Sequence, residues 1–149
     1  MSELTYKSII ENDLRKLNKW RFALVQIQSE LETINAEYAA IKATNYDKMP
    51  GGSGDNIQEE KLITAIAKKG QKEAEYELNS RKIADMERLL TQLPIDERRV
   101  VECMIVNKGQ YSVDRLADEL GYERAQIYRK KDRALRTMAQ LRYGAAYQP

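Results

Sequence analysis

The chain has 149 residues, 42% of them hydrophobic and 32% charged, with 7 Gly and 3 Pro; that is room for one domain or two small ones. With no histidine and with Cys103 as the single cysteine, a His-based triad, a His general base, a His-containing zinc or haem site, an internal disulfide and a multi-cysteine metal site are all excluded. Net charge is +2, from 25 basic and 23 acidic residues, so total charge says little about nucleic acid and its distribution says more.

Many Lys, Arg, Glu, Gln, Ala and Leu and few helix breakers predict an all-α fold. No apolar run approaches the ~20 residues needed to cross a bilayer, and the N-terminal MSELTYKS lacks the apolar core of a signal peptide. A cytoplasmic protein with no membrane partner is expected.

Pro50 and Pro94 divide the chain. In the first segment Leu17, Trp20, Leu24, Ile27, Leu31, Ile34, Tyr38 and Ile41 recur at alternating steps of three and four, the rhythm of a helix packing lengthwise on another. It predicts one helix over about residues 3–43, on the order of 60 Å long, whose apolar stripe needs a partner. The partner expected is a helix over about 55–92, opened by Asp55 as N-cap with Gln58 three residues on. Leu62, Ile66, Tyr76, Ile83, Met86 and Leu90 lie near one of its faces, interrupted by Lys69, Gly70 and Glu73. Matched lengths favour an intramolecular antiparallel hairpin. Self-association through the stripe of the first helix, giving a homo-oligomer, is the alternative and is compatible with it.

The connection over 44–54, TNYDKMPGGSG, reads as a Gly-rich hairpin tip. It lacks the Gly-Lys-Ser/Thr of a phosphate loop.

Residues 93–149 form the second domain of the expected division, after a hairpin over 1–92. Leu93-Pro94 followed by Ile95, Val100, Val101, Met104 and Ile105 predicts a helix that closes near Asn107-Lys108-Gly109, with Cys103 buried in it. Ser112 is then an N-cap for a short helix carrying Val113, Leu116, Ala117 and Leu120, broken at Gly121 where a tight turn needs positive φ. A last helix runs from about Glu123 to Leu141. Leu116, Ala117, Leu120, Ile127 and Leu135 are the expected shared core.

From Gly121 onward seven basic residues stand against Glu123 and Asp132 alone. Helix, Gly turn and cationic helix is the layout of a helix-turn-helix DNA reader. Arg pairs bidentately with guanine edges, Gln with adenine, and Lys or further Arg with phosphates. The candidate DNA-binding residues are Arg124, Gln126, Tyr128, Arg129, Lys130, Lys131, Arg133 and Arg136, with Lys131 nearest the buried side. No catalytic residue, metal or cofactor is expected, since no carboxylate or glycine-rich motif converges on a reaction.

The stretch SVDRLADELGYERAQIYRKKDRALRTM, Ser112 to Met138, resembles the region 4 helix-turn-helix of bacterial sigma factors, and Leu93-Pro94 with Glu97-Arg98 is similar to that module's entrance. Glu123 stands where such helices often carry Ser or Thr. With the loop Asp47-Lys48-Met49-Pro50-Gly51-Gly52, the whole chain resembles the RinA/ArpU-type late-gene regulators of phages and prophages. The resemblance implies a transcriptional activator of late genes in a bacterial host cell, binding double-stranded DNA alongside host RNA polymerase. Its pattern puts Arg124, Ala125, Gln126, Tyr128 and Arg129 on the DNA. Two other readings stay open: a small terminase subunit recognising a packaging site, and a helical antirepressor or inhibitor that binds protein.

Overall fold

The computed structural model describes residues 2–46 and 55–147. Its elements are α1 Glu3–Tyr46, α2 Asp55–Thr91, α3 Ile95–Val101 continuing into a π-helical turn Glu102–Val106, α4 Val113–Leu120, α5 Arg124–Tyr143 and a 3-10 turn Gly144–Ala146. The fold is all-helical, as expected, with a long N-terminal helical pair. Among the described residues there is no strand, only an isolated bridge between Lys108 and Tyr111, and no helix long and apolar enough to cross a membrane. Residues 44–46 of the connection read over 44–54 belong to α1; residues 47–54 and the Asp55 side chain, read as loop and cap, lie outside the described residues.

Packing divides the chain into two units, residues 1–20 with 82–149, and residues 21–81. This differs from the division between 92 and 93 read along the sequence, because the starts of α1 and the end of α2 pack with the C-terminal helices.

In the unit over 21–81, α1 and α2 run antiparallel. Lys72 Nζ lies 2.6 Å from Glu30 Oε2 and Lys69 Nζ lies 5.5 Å from the Tyr38 ring centre. Ile27, Ile34 and Ala65 are buried, with Leu24, Leu31, Tyr38, Ile41, Leu62 and Tyr76 half-buried. The stripe of α1 thus faces α2. One position of the α2 stripe needs correction: Ile66 is 51% exposed and Ala65 takes the inner place. Counting back from Met86 by alternating threes and fours reaches Ile83, Asn79, Tyr76, Lys72, Lys69, Ala65 and Leu62. The helical period holds through Lys69 and Lys72, whose aliphatic stems can lie over the neighbouring helix while their ammonium groups reach outward.

In the other unit, Ile10, Leu14 and Leu17 of α1, Met86 and Leu89 of α2, and Val100, Val101, Leu116, Ile127 and Met138 are fully buried. Arg142 of α5 closes its edge. One of its nitrogens reaches Asp13 at 2.6 Å and another reaches Asp85 at 2.5 Å. Burial disfavours both charges, but the hydrogen bonds outweigh it and hold the Arg142 guanidinium above its ordinary pKa and the Asp85 carboxyl below its own.

Pro94 stands in extended backbone immediately before α3, where its missing N–H is no loss. The helix it opens ends in a feature absent from the expectations. The amide of Asn107 donates to the Glu102 carbonyl five residues back, at 2.9 Å, a π-type turn. Val100 and Cys103 pack with α4 and α5, whereas the Val106 carbonyl accepts from Asn18 of α1 at 3.2 Å. The segment thus has partners in α4 and α5 on one side and in α1 on another.

Candidate nucleic-acid interface

Local chemistry sets the α4–α5 pair. Ser112 sits in extended backbone and its Oγ accepts from the Arg115 amide at 3.1 Å, the N-cap bond expected of it. Gly121 has φ 72 and ψ 30, the left-handed conformation that side chains other than hydrogen disfavour, and the Tyr122 amide closes the turn onto the Ala117 carbonyl at 3.0 Å. Only Gly121, Tyr122 and Glu123 separate the two helices. Glu123 occupies the cap position of α5 in extended backbone without a side-chain capping bond.

Leu116, Ala117 and Ile127 share a buried cluster with Val100 and Cys103, and Leu120 is partly buried against it. Leu135 belongs elsewhere: it is buried beside Leu4, Lys7 and Glu11 of α1. The expected core is therefore right for α4 and the first turn of α5, while position 135, eight residues past Ile127, has turned toward α1. Burial raises the Cys103 thiol pKa, which keeps it protonated and unreactive.

Two polar networks tie α3 to this pair. Asp96 accepts from Tyr122 Oη at 2.8 Å and lies 2.9 Å from Lys130 Nζ; these bonds, Lys130 first, hold its carboxyl at about 2 and raise Lys130. Arg99 donates to Glu119 at 3.1 Å and to Tyr111 Oη at 3.1 Å. The Tyr111 ring has Arg99 at 5.0 Å and Arg115 at 4.6 Å from its centre, cation–π distances.

The eight candidate residues fall into two groups. Lys130 and Lys131 are half-buried; Lys130 holds Asp96, and Lys131 Nζ lies 3.5 Å from Glu11. Arg142, part of the local basic excess, is the clamp described above. These cations join helices. Arg124, Tyr128, Arg129, Arg133 and Arg136 are exposed and Gln126 half-exposed. Arg124 lies 3.9 Å from Asp114, and its pKa is raised by a hydrogen bond with Tyr128.

At about 100° per residue, Arg129, Arg133 and Arg136 fall on one strip of α5 opposite Ile127, Ala134 and Met138. The last three are completely buried. Gln126 borders a shallow hollow with Arg129, Lys130 and Arg133, and Tyr128 borders another with Arg129, Arg133 and Arg136. Gln140, exposed and four residues past Arg136, extends the strip; its spacing was the available signal. The neighbouring carboxylate is Asp132, paired with Lys7 and, at 3.2 Å, with Arg136, and Lys7 depresses its pKa. Arg133 is 71% exposed, with the buried Glu97 at 4.0 Å. Such a strip can engage a row of phosphates or base edges. No family model, curated protein or solved structure matches the chain.

Proposed function

We propose that the protein is a sequence-specific DNA-binding transcriptional regulator, in which α4 and α5 act as a helix-turn-helix and α5 enters the major groove. The carrying observation is the solvent-facing Arg129, Arg133 and Arg136 strip, mounted on a helix whose opposite face is fully buried. In this reading the N-terminal half of α5 meets the bases. Arg124, Gln126 and Arg129 address base edges, Tyr128 a thymine methyl or sugar, and Arg133 and Arg136 phosphates. Lys130 and Lys131 hold the module together. The resemblance to sigma region 4 and to RinA/ArpU-type regulators supports activation of phage or prophage late genes in a bacterial cell, with host RNA polymerase as the further partner.

Selection of genomic fragments by the purified protein at physiological salt, where nonspecific binding is suppressed, tests this. Enrichment of one short site upstream of a late operon is expected. A site within a terminase gene would replace regulation by packaging-site recognition, and absence of any enriched site would overturn the DNA reading in favour of a protein partner.

A further inference from the structure

α2 carries a second strip of small and aliphatic residues, with Glu77 among them. Ile63, Ala67, Gly70, Ala74 and Leu78 follow at steps of four, three, four and four, with Ile66 beside them, about half a turn from the residues that face α1. Ile63, Ile66 and Leu78 are 61%, 51% and 56% exposed, and a Cβ built on Gly70 would meet nothing within 4 Å. Three large aliphatic side chains in water on one strip of helix are a driving force for association.

We propose that this strip is the interface between two copies of the chain, packed antiparallel about a two-fold axis at Gly70. Charge selects the register. Residues equally far from Gly70 on either side then face each other, so Ile66 meets the partner's Ala74, Ile63 meets the aliphatic stem of the partner's Glu77 and Glu59 meets the partner's Arg81, each contact occurring twice. A parallel pair would set Glu59, Glu77 and Arg81 each against its own copy, three like-charge contacts. Arg81 already holds Glu77 of its own helix at 2.6 Å, so in the antiparallel pair the guanidinium lies between two carboxylates. Ala67, Gly70 and Ala74 at the centre allow the helix axes to approach closely. All these residues lie within 21–81, and the inference stands independently of DNA binding.

Sedimentation equilibrium of the full chain without DNA tests it. A reversible monomer–dimer equilibrium is expected. Gly70→Glu places two carboxylates together at the axis and should weaken dimerisation about tenfold or more. Its far-UV circular dichroism should be retained, because the site is open and Glu is the better helix former. Glu59→Arg and Arg81→Glu should each weaken the dimer, and the double exchange should return it toward the starting affinity. A chain that stays monomeric, a dimer indifferent to Gly70→Glu, or a double exchange without recovery would overturn the proposal.

Discussion

The two packed units use the same pair of long helices to different ends. Over residues 1–20 and 82–149 the apolar faces of α1 and α2 meet further helices, and Ile10, Leu14, Leu17, Met86 and Leu89 are completely shielded. Among the described residues of 21–81 the same three-four rhythm has two helices to work with. Ile27 and Ile34 there retain 7% and 8% exposure, and Lys69 and Lys72 occupy inner positions of α2. A periodic stripe thus fixes which side of a helix is covered; the number of neighbouring layers fixes how deeply.

The largest expected effects follow from that contrast. Leu14→Ala should cost about 3–5 kcal/mol, whereas Ile34→Ala should stay near the lower end for such truncations, about 2 kcal/mol. Urea unfolding followed by circular dichroism measures both, and equal losses would break the comparison.

Ion pairs sharpen it. Arg142→Ala strips Asp13 and Asp85 of a shared, largely buried partner and should cost about 2 kcal/mol. Removing the more exposed Lys72, paired with Glu30, should cost clearly less. A cross-helix pair in the thinner unit that mattered as much as Arg142 would show the depth argument to be wrong.

Acid distinguishes the units next. The Asp96 carboxyl is held at about 2 against an ordinary 3.8, so its contribution is complete above pH 4 and disappears as pH falls toward 2. That contribution is about 1–2 kcal/mol after solvent screening. Asp96→Asn should remove this part of the acid sensitivity, read as a smaller loss of unfolding free energy between pH 4 and pH 2. A small effect is also expected at one helix end: Ser112→Ala should cost about 1 kcal/mol through the lost Arg115 capping bond.

Much of this architecture is legible in local pattern. The stripe from Leu17 to Ile41, the Ser112 cap and the left-handed Gly121 each follow from spacing or from one residue's conformational range. Ile66 was misplaced because hydrophobicity competes with period, and the period holds through lysines. The π turn at 102–106 answers to packing on two sides, which neighbouring residues do not encode. The candidate site is legible as a basic segment, but its partition only at Lys131, which the helical period places nearest the buried side. Whether Lys130, Lys131 or Arg142 meets solvent or a carboxylate depends on Asp96, Glu11, Asp13 and Asp85, residues far away in the chain.

That partition is the central claim, and the salt dependence of DNA binding tests it most directly. Fluorescence anisotropy titrations across a range of salt would compare the unaltered protein with Arg133→Ala, Arg136→Ala and Lys131→Ala. The two arginine variants should each lower the slope of log affinity against log salt by about 1, while Lys131→Ala leaves it unchanged. Arginine variants with the full slope, or a slope lost with Lys131 instead, would contradict the assignment of the exposed strip as the DNA-facing surface.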